Sequence, residues 1–286
     1  MVNIGEVNQL TVSRLHTLGA FLATNSDAEV LLPKRYVPDQ CKVGDVLSVF
    51  VYKDSDEQLV ATTDKPFAEV GQVAWLKVAE VNKVGAFLTW GLAKDLLCPY
   101  GEQHQTMEAG KSYLVIVFLD DQDRIAASAR IDEFLEDENQ GKFEVGQEVS
   151  LIVGEKTPLG IKAVINHTHW GVLYENELFN KVRKGQTLTG YIKKIREDDR
   201  IDVSLQKPGY SKAKMNNASE QLLEHIKKQG GYLAMTDKTP PEDIYDTFGV
   251  SKKVFKQAIG SLYKQRLIMI EDNGLRLVND KNKTKI

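Results

Sequence analysis

Two short runs, KVRKG at residues 181–185 and YIKKIR at 191–196, crowd lysine and arginine onto segments that also carry tyrosine and aliphatic residues. Cations at this density neutralise phosphates and release their condensed counterions. An aromatic or guanidinium plane among them stacks on an exposed base for about 1–3 kcal/mol. Lys193 and Lys194 are therefore candidate contacts to a polyanion. A second set, Lys252, Lys253, Lys256 and Lys264 with Ser261, falls away from the apolar stripe of one helical stretch near the C-terminus. The carboxylate clusters DDQD (120–123) and EDDR (197–200) resemble acid/base pairs, but each sits where a turn is needed, so they read as turn residues. His167 and His169 flank Thr168 with no third ligand nearby and read as a solvated loop. There is no phosphate-cradling glycine loop and no helix-borne His-Glu zinc pattern. The expectation is a non-enzymatic protein with no cofactor and no metal, a nuclease being the remaining enzymatic reading.

The elements that carry these residues repeat. LGAFL (18–22) returns as VGAFL (84–88), and the offset of 66 holds without a gap from Gly5/Gly71 through Pro33/Pro99 to Ala61/Ala127. A more divergent third copy follows at an offset of 75, placing Gly85 on Gly160 and Gly110 on Gly185. Each copy reads as five short alternating strands with turn residues between them, the pattern of a small closed barrel. Within them Trp75 reads as core, Trp170 equally as core or base platform, and Phe21 and Phe87 equally as barrel packing or base platforms. RIDEFLEDENQGKFE (130–144) reads as an acidic, short helical linker.

After QKPGYSKAKMNN the period changes from two to about three and a half. SEQLLEHIKKQGG aligns Leu222, Leu223 and Ile226 on one helical face. TPPEDIYDTFG offers Thr239 as N-cap, Pro240 at the first helical position, Glu242 completing a capping box, and Gly249 as the stop. Ser251 caps KKVFKQAIGSLYKQ, whose Phe255, Ala258, Ile259 and Leu262 face inward. LIMIEDNGLRLV then predicts a hairpin turning at Asn273-Gly274. Three helices and a hairpin describe a winged helix-turn-helix. The predicted organisation is barrels at 1–66, 67–130 and 146–209, a linker at 131–145 and a winged helix at 210–286, mostly β with a C-terminal α+β unit.

The net charge of −3 hides a split: residues 1–145 carry 13 Lys+Arg against 23 Asp+Glu, and residues 146–286 carry 24 against 17. Only the second half is dressed for a polyanion. The longest apolar run, residues 114–119, is far short of the roughly 20 needed to cross a bilayer, and no basic-then-apolar leader opens the sequence. Cys41 and Cys98 lack paired spacing, and Cys98, inside LLCP, reads as a buried structural thiol. The expectation is a cytoplasmic protein.

A glycine-led strand, a GAF-aliphatic strand and a close such as DDQDRIAASA or EDDRIDVSL resemble the S1 RNA-binding domain of the OB-fold class. Three such units before a winged helix resemble the bacterial conserved virulence factor B family, which implies RNA binding and an effect on virulence-gene expression. In S1 domains the RNA face uses two aromatics, a histidine and a closing-turn arginine. Here the first aromatic is replaced by Leu18, Val84 and Leu159, and the second is Phe21, Phe87 and then Lys162. The histidine position holds Pro33, Pro99 and Tyr174, and the arginine is Arg124 and Arg200, with Gln58 in the first copy. The resemblance thus adds Phe87, Arg124, Lys162, Tyr174 and Arg200 to the candidate contacts, with the third copy best equipped. Its expected ligand is a pyrimidine-tolerant single-stranded RNA of unknown motif, on a surface shared by the third copy and the winged helix. The competing readings are a DNA-binding transcription regulator and an adaptor whose acidic first half docks a protein partner. Sharp base reading is disfavoured because, Gln257 apart, the third helix lacks Arg, Asn and Gln forks.

Overall fold

The computed structural model describes residues 2–24, 28–54, 57–178, 181–207 and 210–278. The chain divides into two compact units, Met1–Leu205 and Gln206–Ile286. The first unit holds three barrels. The first is built from β1 (Val7–His16), β2 (Gly19–Ala23), β3 (Glu29–Pro33), β4 (Val46–Lys53) and β5 (Leu59–Thr62), closed in the order β1-β2-β3-β5-β4. The second, β6 (Val73–Asn82), β7 (Gly85–Thr89), β8 (Leu96–Pro99), β9 (Ser112–Leu119) and β10 (Ile125–Ser128), follows the same order and is nearly closed, with β8 and β10 adjacent at the seam. The third, β11 (Glu148–Lys156), β12 (Ile161–Ile165), β13 (His169–Leu173), β14 (Thr187–Ile195) and β15 (Ile201–Ser204), is closed by parallel pairing of β13 with β15.

The recurrent glycine of the GAFL strand has a steric cause. Gly19, Gly85 and Gly160 have φ of 149°, 156° and 159°, and a Cβ at each would collide with the carbonyl oxygens of Leu32, Cys98 and Leu173 respectively. Only glycine lets the second strand start this close to the end of the third. Alternate residues after it then point inward. Ala20 and Leu22 join Leu10, Val12 and Val51 in the first core, and Ala86 and Leu88 join Val78, Cys98 and Val117 in the second. Burying each such Leu or Val stabilises the fold by roughly 1.5–3 kcal/mol. Burial pushes the Cys98 thiol up to about 12, leaving it an inert core side chain as its sequence context predicts.

The barrels dock on one another. Phe50 of the first meets Trp90 of the second edge-on at 5.7 Å, and the Val70 amide donates to the Gly5 carbonyl at 2.8 Å. Between the second and third, Val73, Leu114 and Ile116 pack with Ile152, Val164 and Trp170 over Ile131 and Leu135. Trp75, read from sequence as barrel core, instead packs partly buried in this junction, where Gly185 leaves room for its ring. The acidic segment is not a helical linker. After one 3-10 turn, Ile131–Glu133, it lies along the third barrel, bridging Glu136 to His169 and Glu138 to Arg200. Extended pairing wins there because Leu135 and Phe143 can bury their side chains.

The two histidines are likewise not in a solvated loop. His169 is buried in β13, and His167, at φ 63° in the β12–β13 turn, accepts the Val73 amide on Nδ1 at 3.0 Å across the junction. Burial lowers the pKa of both rings.

In the second unit α1 (Tyr210–Lys228), β16 (Tyr232–Leu233), α2 (Pro241–Phe248), α3 (Lys252–Lys264), β17 (Ile268–Glu271) and β18 (Gly274–Leu277) form a winged helix with a three-stranded sheet, β16-β18-β17. Leu222 and Ile226 of α1 pack on Phe255, Ala258, Ile259 and Leu262 of α3, as their spacing predicts. Gly249 ends α2 at φ 65°, and the Ser251 hydroxyl caps α3 by accepting from the Val254 amide. Two local readings shift by one residue. Pro241, not Pro240, is the first residue of α2, and the Thr239 hydroxyl accepts the Thr236 amide instead of capping the helix. The hairpin turns at Asp272-Asn273, because Gly274 is needed within β18, where a Cβ would strike Tyr232 and the Leu233 carbonyl.

A histidine whose native pKa is depressed stabilises the fold fully above its unfolded value near 6.5 and loses that contribution as pH falls through it. The urea midpoint of the first unit's unfolding should therefore drop between pH 7.5 and 5.5. His167→Asn, which tolerates positive φ and does not titrate, should flatten the drop, leaving only the His169 share. An unchanged pH profile in the variant would remove His167 from the junction's energetics.

Candidate nucleic-acid interface

The outward residue at the middle of each barrel's second strand occupies one equivalent position, and its three occupants meet different surroundings. Phe21 pairs with Leu31, Phe87 with Leu97 and Lys162 with Val172, each between inward-facing neighbours. Phe21 and Phe87 are half-buried on the outer surface, outside the barrel cores. Above Phe21 lies the Arg14 guanidinium, 3.6 Å from the ring centroid, with His16 edge-on at 6.1 Å. Arg14 is steadied by Glu29 at 2.8 Å, and hydrogen bonds from Arg14 and Ser13 hold that carboxyl below its usual range. A bulge between Val12 and Arg14 brings the guanidinium over the ring. Sequence reasoning missed Arg14. The repeat alignment held the signal, since Glu80 faces Phe87 after the same bulge in the second barrel.

In the third barrel the equivalent face is closed. Lys162 Nζ stands 4.2 Å from the Trp170 centroid and 2.8 Å from Asp132, while Trp170 is buried against the second barrel. Tyr174 belongs to a separate network. Its hydroxyl donates to Asp202 Oδ1 at 3.2 Å and accepts from Arg196, whose Nε reaches the same carboxylate oxygen at 2.8 Å. The Asp202 side chain is 8% exposed, and the Arg196 guanidinium is the opposite charge paired with it. Lys193 hovers 5.2 Å from the Tyr174 centroid and pairs with Glu177 at 2.6 Å. The structure thus gathers Tyr174 and Lys193 around Arg196, which sequence analysis saw only as part of a basic run. Lys194, next along β14, is exposed.

The closing turns hold the remaining barrel arginines. Asp120 Oδ1 accepts the Gln122 and Arg124 amides, both at 2.9 Å, and its other oxygen meets the Arg124 guanidinium at 2.8 Å. Arg200 lies 3.9 Å from Asp198 and is exposed. Asp123 and Asp199, at φ 55° and 60°, shape these turns, so the carboxylate clusters are turn chemistry as read from sequence. On the winged helix, Lys253, Lys256 and Lys264 are exposed on the side of α3 opposite its buried residues. Lys256 pairs with Asp237 at 3.4 Å, and Lys252 donates to the Lys238 carbonyl at 3.4 Å. No group of three or more metal-ligating side chains occurs among the described residues.

Arg196→Ala would strand Asp202 without its cation. A buried pair broken on one side costs about 3–5 kcal/mol, so thermal unfolding should shift down sharply. Arg196→Ala with Asp202→Ala together should recover part of the loss, and no recovery would contradict the pairing.

Residues 4–64 and 70–130 match the S1 domain family, and residues 220–277 match the CvfB-like winged helix domain. S1 and winged-helix domains are nucleic-acid-binding modules. Uncharacterized protein YitL of Bacillus subtilis is 27% identical over 278 residues, 93% of this chain and 91% of that protein. Conserved virulence factor B of Staphylococcus epidermidis is 23% identical over 288 residues, covering 96% of this chain and 94% of its own. A crystal structure of a multidomain protein with nucleic acid binding domains from Streptococcus pneumoniae shares 24% identity over 96% of this chain and 98% of its own, at a TM-score of 0.39. With two S1-family barrels and a CvfB-like winged helix domain in one chain, and relatives named conserved virulence factor B along nearly its whole length, the chain is similar in sequence and domain order to the conserved virulence factor B proteins.

Proposed function

We propose that this chain is a non-enzymatic, cytoplasmic RNA-binding protein that regulates gene expression after transcription. Its ligand is single-stranded RNA, contacted by Tyr174, Lys193, Lys194 and Arg200 of the third barrel and by Lys252, Lys253, Lys256 and Lys264 of α3. Phe87 and Arg124 give the second barrel a lesser share, and Lys162 joins only where Asp132 releases it. The observation that carries the reading is the two-sided character of α3. Its apolar stripe is wholly buried, while Lys253 and Lys264 are exposed with no ion-pair partner among the described residues. Unpaired lysines cost little to desolvate onto phosphate and yield the counterion-release gain in full. Conserved virulence factor B, the name of several relatives, supports a role in virulence-gene expression.

The Lys253→Ala, Lys256→Ala double variant should keep the wild-type melting temperature and bind single-stranded RNA more weakly. Two lost phosphate contacts should reduce the slope of log K against log salt by about 1.4. Lys194→Ala should lower that slope by about 0.7 on its own. Wild-type affinity and slope in all of these variants would overturn the assigned contacts.

A further inference from the structure

A cleft of about 160 Å³ opens between the first and second barrels, lined by Tyr36, Tyr52 and Lys53 on one side and by Trp90, Asp95 and Arg124 on the other. Drug-sized ligands need about 300 Å³ or more, so this volume suits one planar heterocycle. Its aromatic walls are already fixed. Phe50 supports both barrels' rings, stacking with Tyr52 at 6.3 Å and meeting Trp90 edge-on at 5.7 Å, and the Trp90 indole N–H donates to the Lys94 carbonyl at 2.7 Å.

The polar groups leave specific positions open. Neither the Tyr36 nor the Tyr52 hydroxyl has a hydrogen-bond partner among the described residues. Burial, with the neighbouring Tyr36 phenol, raises the Tyr52 pKa, so its hydroxyl stays a donor at neutral pH. The cationic end is also set. Lys53 Nζ donates to the Gln122 carbonyl at 2.8 Å and pairs with Asp123 at 3.1 Å, its side chain only 20% exposed. Arg124, clasped by Asp120, keeps its side chain 56% exposed. A half-buried aromatic slot with phenolic donors and two anchored cations matches a base carrying one phosphate.

We propose that this cleft binds a single nucleotide, its base against Tyr36, Tyr52 and Trp90 and its phosphate on Arg124 and Lys53. Asp95, exposed at the rim, accepts from an exocyclic amino group, so adenine, cytosine and guanine bind ahead of uracil. A free mononucleotide and the phosphorylated end of a strand present the same chemistry. The site shares Arg124 with the RNA contacts assigned above but uses none of the lysines of the third barrel or α3.

Calorimetric titration of the full chain with adenosine monophosphate, uridine monophosphate, adenosine and inorganic phosphate tests it. The adenosine nucleotide should bind saturably at one site, and each of the other three about tenfold more weakly. Tyr36→Ala and Arg124→Gln should each weaken it by about tenfold, and Tyr52→Phe, which removes only a hydroxyl, should weaken it measurably. The Lys253→Ala, Lys256→Ala variant should bind it like the wild type, which separates this site from the RNA surface. Displacement by a 5′-phosphorylated RNA end would assign the natural ligand to a strand terminus, and its absence would assign a free nucleotide. No saturable binding at millimolar nucleotide, or wild-type binding by folded Tyr36→Ala and Arg124→Gln variants, would overturn the proposal.

Discussion

Closure of each barrel depends on a backbone approach that no side chain survives. The residue that opens the second strand passes so close to the carbonyl ending the third that only glycine fits, at Gly19, Gly85 and Gly160. Once that crossing is made, the pleat decides the rest: neighbours alternate between a dry interior and the outer surface. The interior is predominantly aliphatic in all three barrels. The outer surface is free to differ.

The equivalent outward position shows how far the copies have diverged. Phe21 lies beneath a guanidinium, Phe87 stands on an open strand, and Lys162 is locked to Asp132 above a buried tryptophan. The third barrel uses this face to dock the second, through Val164 and Trp170. Its free cations therefore lie elsewhere, along β14 and the closing turn. A duplicated module has in this way given one face two fates: in the third barrel it holds the neighbouring barrel, and in the second the equivalent position stays half-exposed.

The sequence exposed whatever is decided locally or by repetition. The offset of 66, the strand alternation and the α3 stripe of Phe255, Ala258, Ile259 and Leu262 each depend on residues close together or copied in register. What stayed hidden depends on partners far apart in the chain. His167 meets Val73, 94 residues away, and nothing in HTH announces a buried junction. Trp75 looked like barrel core because its strand alternates, yet its ring packs at the junction beside Gly185. The acidic segment has a helical composition, but pairing with β13 and burial of Leu135 outweigh that propensity. Within the candidate interface the cations were visible as types. Their ion-pair partners Asp132, Glu177 and Asp202, which decide how free each cation is, were not.

Charge gives the molecule its polarity: an acidic run of two barrels, then a third barrel and winged helix with a cationic surplus. The central claim is that this surplus serves single-stranded nucleic acid, with backbone contact outweighing base reading. Fluorescence anisotropy of the full chain against equal-length pyrimidine-rich single-stranded RNA, matching single-stranded DNA and duplex DNA tests it most directly. The account predicts tightest binding to the RNA strand, then the DNA strand, with strong salt dependence. Preference for the duplex would contradict it and make α3 a DNA reader, and binding to none of the three would shift the function to the acidic half and a protein partner.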